Sequence, residues 1–492
     1  MTIVRSLADR PTSTVAVLAL SIRISHLIVL YLLSLILPPF DASQPIVASS
    51  ILPGLRWDAV HFSSIALEGY RWEQQLAFQP LWQAILRLSG EGLGSIKGGK
   101  AEVSVKDVVR GGMGVSVLAW VGASVMLFKL TSHLFPSSSH RFALLTTLLY
   151  LLPPTPVPSL PYTEPTYALF VFTGLYLLIV KKQYILSGAC FAGATGLRAT
   201  GLLNSLILLG VAMLGDDIIS RLSLPQLIKR LFTGSWKAVI PCITTVSPFV
   251  LFQWYAYESF CGSAAKSEGV EPRPWCASKV PFVYGFVQAE YWNIGLFNYW
   301  TSAQLPNILL AGPIFVISYL GSRKFVRNLV SAWFPASRSG TARTNTDTTT
   351  RTDFDEVHPA LPVLYLHHWL MMALLLVASH TQIALRVCIT DPVVWWNIAS
   401  LAMSPATSTS LKGKSREAPA TTKEEETTDK RGTSRSSTPS SKDQTSVEVE
   451  RVKEKQEEMR WETTRIGRWW ITWALVWGAI STVLWVGHYP PA

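Results

Sequence analysis

Apolar residues along this chain are gathered into long blocks that are separated by polar segments. A helix needs roughly 20 residues to cross the hydrocarbon core of a membrane, and most of the blocks approach that length. The pattern predicts an all-α polytopic membrane protein with about 10–11 transmembrane segments and loops that bear short helices. The predicted spans lie near 15–37, 114–134, 141–155, 165–180, 184–195, 201–214, 236–257, 305–320, 361–379, 385–403 and 467–487.

Two of these blocks, 184–195 and 201–214, are too short for two full crossings. They flank Arg198, and a broken or re-entrant helix is the alternative to two separate spans there. An arginine between apolar half-helices costs free energy unless it binds a partner.

Basic residues indicate the orientation, because Lys and Arg in short loops accumulate on the cytosolic side. They precede the first span and follow the fourth, sixth and eighth, so a cytosolic N-terminus places all of them on one side. The loops at 38–113, 156–164 and 258–304 then face the lumen, whereas the polar loop 321–360 is cytosolic.

The polar segments also predict the domain organisation. Residues 1–403 form one transmembrane domain, and residues 465–492 form a terminal transmembrane helix with a short lumenal tail. Between them, 404–464 is rich in Ser, Thr, Lys and Glu and has almost no large apolar side chain, which is typical of a disordered linker. The topology makes this linker cytosolic.

Composition and motifs exclude several classes of function. Only 15% of residues are charged and 49% are hydrophobic, whereas soluble domains carry about a quarter charged residues. Much of the net charge of +11 comes from basic residues beside apolar blocks, so we expect no nucleic-acid partner. No Walker loop or G-x-G-x-x-G motif supports a nucleotide cofactor. Asp353 and Asp355 have the D-x-D spacing of metal-dependent sugar-nucleotide transferases, but they lie in a Thr-rich polar segment, so we expect no metal.

The first predicted lumenal loop contains a carboxylate, Asp58, in an aromatic-rich segment. Asp58 and His61 are spaced i, i+3, so on a helix they share one face. A carboxylate among aromatic side chains at the membrane surface is suited to act as a general base, but an Asp that caps an interfacial helix is the structural alternative. Cys261 and Cys276 share another lumenal loop, where they can form a disulfide or stay reduced.

Five strings of polar and aromatic residues lie in order along residues 15–403. They are Trp57 to Phe62, Leu160 to Glu164, Leu197 to Asn204, Arg273 to Cys276 and Tyr291 to Leu296. Their order and spacing resemble the GPI mannosyltransferase 2 family, and specifically a fungal member. The chain departs from the family pattern at Thr163, Ala199 and Thr200, and the linker 404–464 has no counterpart in shorter members.

This resemblance implies a GT-C type glycosyltransferase of the endoplasmic reticulum membrane. Such an enzyme transfers the second mannose, α1,6-linked, from dolichyl phosphate mannose to the GPI glycolipid precursor in the lumen. An acidic residue of the first lumenal loop serves as the base in such folds, and Asp58 matches it. Because the donor is β-linked and the product α-linked, one inversion needs only one base. The resemblance also implies a small accessory membrane subunit.

Further residues are candidates for contacts with these substrates. Arg198 is the first candidate for the donor phosphate and Arg386 the second, although arginines often reach to the membrane surface without a ligand. Glu164 is suited either to bond acceptor hydroxyls or to stabilise the first turn of a helix. Trp292 is suited to stack on a sugar ring or to anchor its loop at the membrane surface. His61 joins this substrate-binding set through its position beside Asp58.

Other function classes remain alternatives. The nearest is another lumenal glycosyltransferase that uses a polyprenyl-phosphate sugar. A transporter or lipid scramblase would need intramembrane charges facing a pore and inverted repeats, and neither is visible in the sequence. A non-catalytic scaffold subunit is the third.

Overall fold

The computed structural model describes residues 10–40, 52–96, 102–136, 139–214, 236–262, 273–333, 357–403 and 463–489, together with residues 225, 228 and 229. Regular structure in these ranges is helical, and the one pairing of extended backbone is an isolated bridge between Met403 and Thr463. The predicted all-α class is confirmed. Of the linker predicted at 404–464, residues 404–462 lie outside the described residues, as do most of the polar loop 321–360 and both Asp353 and Asp355.

Fifteen α-helices are described within these ranges. In chain order they are α1 Pro11–Ile36, α2 Asp58–Glu68, α3 Pro80–Ile96, α4 Val105–Leu134, α5 Ser139–Tyr150, α6 Thr163–Ile179, α7 Tyr184–Leu197, α8 Asn204–Leu214, α9 Trp236–Cys261, α10 Val283–Glu290, α11 Leu305–Trp333, α12 Leu361–Val377, α13 Ala384–Val387, α14 Pro392–Ala402 and α15 Arg465–Val486. Short 3₁₀ turns connect several of them, including Glu73–Ala77, Ala199–Leu203, Pro274–Ala277, Thr381–Ile383 and Cys388–Thr390.

Five helices in the described ranges are long and apolar enough to cross a membrane. They are Pro11–Ile36, Val105–Leu134, Trp236–Cys261, Ser302–Ser331 and Arg465–Val486. Shorter apolar helices at Thr163–Ile179, Tyr184–Leu197, Ala199–Leu214 and Leu361–Val377 pack among them. All nine coincide with predicted spans, so the chain is a multi-pass membrane protein.

The helix is interrupted at Arg198, which agrees with the broken helix given above as the alternative to two separate spans. Arg198 has an extended backbone at the end of α7, and a 3₁₀ turn then leads into α8. Gly201 makes this turn feasible, because a Cβ there would come within 2.4 Å of the backbone nitrogen of Thr195. The break leaves the Arg198 side chain at a helix end instead of inside a continuous span.

The span predicted at 385–403 differs from the observed structure. Residues 381–390 form short helical turns, and the regular helix begins only at Pro392. Pro392 has no N–H to donate to a preceding turn, and the Asp391 side chain accepts a hydrogen bond from the backbone N–H of Val393 instead. The irregular segment before this cap carries Arg386.

The segments that follow α1, precede α2 and α6, and follow α15 lie close together in the fold. Phe40, after α1, stacks on Tyr489, after α15, with ring centroids 4.9 Å apart. The Trp485 indole donates a hydrogen bond to the Pro53 carbonyl at 2.8 Å, which ties the first loop to the end of α15. The start of α6 and the end of α7 lie beneath this loop, since Trp82 of α3 bonds the Pro161 carbonyl and Leu81 contacts Gly196.

Candidate functional site

Asp58 is the first residue of α2, and its carboxylate is not used as a helix cap. The preceding residue, Trp57, occupies the N-cap position at φ 53° and makes no side-chain capping bond. A positive φ is uncommon for a residue with a bulky side chain, so this turn is held by its surroundings. Asp58 Oδ2 instead accepts a hydrogen bond from Arg386 Nη2 at 3.0 Å.

Arg386 connects Asp58 to a second carboxylate. Its Nη2 and Nε donate to Glu164 Oε1 at 3.0 and 3.1 Å. The guanidinium also lies over the ring of Tyr162, 4.8 Å from its centroid, which adds a cation–π contact. Asp58 and Arg386 are 328 residues apart in sequence, so this contact exists only in the folded chain.

Glu164 is the centre of the cluster because it also binds Arg198. Arg198 Nη1 donates to Glu164 Oε1 at 2.8 Å and to Thr163 Oγ1 at 3.1 Å. The hydroxyl of Thr163 in turn donates to Glu164 Oε2 at 3.3 Å. The helix α6 begins at Thr163, and Pro165 is tolerated in its first turn, so these acceptors lie at the N-terminal end of the helix.

Solvent exposure separates the members of this cluster. The Glu164 side chain is fully buried, whereas those of Asp58, Arg386 and Arg198 are 26%, 16% and 22% exposed. Glu164 therefore holds the two arginines from the buried side of the cluster, and the other three side chains are partly exposed to solvent. Within the described residues Asp58 Oδ1 accepts no hydrogen bond, so one carboxylate oxygen is free to face a ligand.

Aromatic side chains form one wall beside Asp58. The His61 ring lies 5.5 Å from that of Phe78 and 6.0 Å from that of Trp292, between ring centroids. Burial lowers the pKa of His61, and the nearby Asp58 carboxylate opposes that shift. His61 is therefore neutral near pH 7, where its imidazole can donate one hydrogen bond and accept another.

The cluster and the aromatic wall beside it together contain every residue that the sequence singled out for chemistry or substrate binding: Asp58, Glu164, Arg198 and Arg386 in the cluster, and His61 and Trp292 in the wall. Tyr162 and Thr163 were not singled out, although they directly precede Glu164. Tyr162 is fully buried, and its hydroxyl donates to the carbonyl of Arg56 at 3.2 Å, which fixes the turn before Asp58. A polar string at the start of an apolar helix is the signal that could have identified both.

The described residues contain no group of three or more His, Cys, Asp or Glu that could hold a metal ion. Cys261 and Cys276 form a disulfide, with Cα atoms 5.7 Å apart. It joins the end of α9 to the segment that leads to Trp292.

Comparisons with known proteins agree on one family. Residues 17–492 match the family described as mannosyltransferase (PIG-V). The chain is 42% identical over 482 residues to the GPI mannosyltransferase 2 of Cryptococcus neoformans var. neoformans serotype D (strain B-3501A), covering 98% of this chain and 99% of the relative. It is 31% identical over 424 residues to the GPI alpha-1,6-mannosyltransferase 2 of Cricetulus griseus, covering 78% and 82%.

Among solved structures, the chain is similar to the crystal structure of the Archaeoglobus fulgidus oligosaccharyltransferase tethered with an acceptor peptide. That likeness has a TM-score of 0.45 and 12% sequence identity, and it covers 99% of this chain and 56% of the other.

Proposed function

Because the chain belongs to the PIG-V mannosyltransferase family, we propose that it transfers the second mannose, α1,6-linked, to the GPI precursor. The chain is a membrane glycosyltransferase, and its donor in this proposal is dolichyl phosphate mannose. Asp58 is the general base, and no metal or other cofactor takes part. The observation that carries this proposal is the partly exposed Asp58 carboxylate, which is bonded to Arg386 through one oxygen and, among the described residues, free at the other.

One carboxylate is sufficient for this reaction. The acceptor hydroxyl oxygen forms a bond to the anomeric carbon of mannose, while the bond from that carbon to the phosphate oxygen breaks. The proton of the hydroxyl passes to Asp58, and the electron pair of the broken bond leaves on dolichyl phosphate. Attack from the face opposite the phosphate converts the β-linked donor into an α-linked product.

The ion pairs explain how charge is balanced during this step. Asp58, Glu164, Arg198 and Arg386 have no net charge together when all are ionised. When Asp58 takes the proton, Arg386 loses one of its two anionic partners, and at the same moment the leaving phosphate gains a negative charge. Arg386 is then available to that phosphate, so stabilisation increases as the transition state forms.

The two arginines have different roles in this proposal. Arg386 contacts both carboxylates and is placed to respond to the proton transfer, whereas among the described residues Arg198 bonds Glu164 and Thr163 alone. In this proposal Arg198 binds the negative charge that the donor phosphate already carries, and Arg386 stabilises the further negative charge that develops on the phosphate in the transition state. Glu164 keeps both guanidinium groups in place and does not contact the acceptor.

The membrane orientation belongs to the same proposal. With a cytosolic N-terminus, α1 ends in the lumen of the endoplasmic reticulum, and the first loop that carries Asp58 lies there too. A lumenal site meets a lipid-linked donor and a GPI glycolipid acceptor in the same leaflet. A small accessory membrane subunit is part of the expectation for fungal members, and an engineered glycosylation site near Asp58 would test the orientation.

Asp58→Asn tests the assignment of the base. The substitution keeps the size of the side chain and its bond to Arg386 but removes the proton acceptor. We expect transfer to fall by about 10²–10⁴-fold, the usual range for loss of a general base. The measurement is transfer of labelled mannose to a GPI precursor carrying one mannose, in membranes that contain equal amounts of each variant.

Glu68→Gln is the matched control, because Glu68 lies at the end of the same helix and its one ion pair in the described part of the chain is with Arg71 on the surface. It should transfer mannose at the wild-type rate. Near-normal transfer by Asp58→Asn would contradict the assignment of Asp58 as the base. Depletion of the protein from cells should cause the GPI precursor with one mannose to accumulate, and accumulation of a different lipid-linked intermediate would contradict the proposed acceptor.

A further inference from the structure

Glu73 connects two loops at a distance from the reacting groups. It begins the 3₁₀ turn Glu73–Ala77 of the first loop, and its side chain is only 15% exposed. One carboxylate oxygen accepts a hydrogen bond from the Trp275 indole, and the other accepts from the Tyr291 hydroxyl at 2.8 Å. Arg273 Nε lies 3.8 Å from the same carboxylate.

The three partners of Glu73 belong to one segment, residues 273–304, which we call the strap. The strap is joined to α9 by the disulfide of Cys276. Its other side is bonded to the end of α12 and the turn after it. The Phe297 N–H donates to the Val377 carbonyl at 2.6 Å, and the Trp300 indole donates to the Leu376 carbonyl at 2.7 Å.

Trp292 is the part of the strap that reaches the site. Its ring contacts those of His61 and Phe78, at centroid distances of 6.0 and 5.9 Å. Its carbonyl accepts a hydrogen bond from His380 Nε2 at 2.8 Å, six residues before Arg386. The strap therefore bridges the helix that carries the base and the segment that carries Arg386.

The Trp292 indole has an unused donor. Its Nε1 is buried and makes no hydrogen bond to any described residue. A buried donor without a partner costs free energy, and such groups occur where a ligand or an ordered water completes the bond. A sugar hydroxyl beside the aromatic wall would supply that acceptor.

We propose that Glu73 is a positioning residue that fixes the strap so that Trp292 forms the substrate-binding wall of the site. The inference rests on the proposed function, because a sugar is the ligand that the wall receives. Glu73 does not contact the substrate. It acts through Trp275 and Tyr291, which hold the start and the centre of the strap.

Glu73→Gln is the direct test, because glutamine has the same size but only one acceptor oxygen for the two donors. We expect KM for the mannosyl acceptor to rise about tenfold, with kcat within about twofold of wild type. Tyr291→Phe removes one bond without removing the carboxylate and should raise KM less. Glu68→Gln, on the same loop, should leave both constants unchanged.

A double variant distinguishes positioning from general support of the fold. Trp292→Phe removes the indole N–H but keeps an aromatic ring, and we expect it to raise KM by a similar factor. If Glu73 acts through Trp292, Glu73→Gln combined with Trp292→Phe should be no worse than the more affected single variant. Independent effects that multiply would overturn the proposal.

Two other outcomes are informative. Suppose that the wild-type chain transfers mannose. A Glu73→Gln variant with the same KM and kcat as Glu68→Gln, or with a lower kcat and an unchanged KM, would overturn the positioning role and leave the proposed function intact. A wild-type chain that transfers no mannose in the same membranes would overturn the proposed function itself.

Discussion

Two clusters of acidic and basic side chains each take one member from the segment before α14, where Arg386 and Asp391 are five residues apart, and the two clusters differ in their exposure to solvent. Arg386 belongs to the open cluster with Asp58, Glu164 and Arg198. Asp391 belongs to a closed pair with His368, whose Nδ1 lies 2.6 Å from Asp391 Oδ2. The side chains of His368 and Asp391 are 0% and 10% exposed, whereas Asp58 is 26% exposed.

The two carboxylates also use their oxygens differently. Asp391 Oδ1 accepts the Val393 N–H and Oδ2 bonds His368, so both oxygens serve the fold. Asp58 uses one oxygen, and the turn before it is held by other groups, including the Tyr162 hydroxyl. A buried carboxylate whose two oxygens are both bonded within the fold has no acceptor left for a ligand, while a partly exposed carboxylate with one unbonded oxygen does. The comparison therefore assigns chemistry to Asp58 and structure to Asp391.

Arg386→Lys is the sharpest way to break the open cluster while keeping its charge. A lysine has a single ammonium group and cannot bond two carboxylates with the fixed geometry of a guanidinium. We expect kcat to fall by about 10²–10³-fold, comparable to loss of one preorganised donor to a developing anion. Single-turnover transfer with saturating donor would measure it.

Arg198→Lys is the matched control for this charge-conserving change. Arg198 contacts one carboxylate and one hydroxyl through a single nitrogen, which an ammonium group can replace. It should affect KM for the donor more than kcat. A larger loss of kcat in Arg198→Lys than in Arg386→Lys would contradict the division of roles between the two arginines.

Much of the open cluster could be predicted from local sequence. Asp58 lies in an aromatic string after the first span, and Arg198 interrupts an apolar block, so each is visible without a fold. What could not be predicted is that Glu164 joins both arginines, because that depends on the packing of α6 against α7 and on a segment more than 200 residues later. The sequence favoured Arg198 over Arg386 as the ligand of the donor phosphate for the same reason, since the contacts of Arg386 with Asp58 and Glu164 appear only in the folded chain.

The span predicted at 385–403 shows what hydropathy alone cannot predict, namely where a helix begins. The apolar content of that block is correct for a span, but hydropathy does not register the hydrogen bonds that start or end a helix. The Asp391-Pro392 pair is a helix-start signal, with a capping side chain followed by a residue that lacks an N–H. Reading that signal would have placed Arg386 outside the helix.

Asp391→Ala tests the closed pair. It removes the cap of α14 and leaves the buried His368 ring without its partner, so we expect about 2–4 kcal/mol of lost stability. The apparent melting temperature in detergent should fall. Activity per folded molecule should stay within about twofold, and Asp391→Asn, which can still accept the Val393 N–H, should lose less. A variant that folds normally but transfers no mannose would contradict the structural role of Asp391.

The smallest expected effect concerns His61, which lies beside the open cluster but takes no proton in the proposed reaction. Because burial lowers the pKa of His61, its charged form is confined to acidic solution, and it is already neutral as pH rises through about 6–8. His61→Gln should therefore leave the shape of the pH profile of kcat/KM unchanged over that range, with transfer reduced by no more than about threefold through altered packing against Phe78.

The measurement is mannose transfer by the wild-type chain and His61→Gln across the same buffers, with Glu68→Gln as the control for changes elsewhere on α2. If an ionisation in this range disappeared in His61→Gln, the imidazole would take part in the proton transfer, and the contrast between one free carboxylate and one paired carboxylate would no longer explain the reaction.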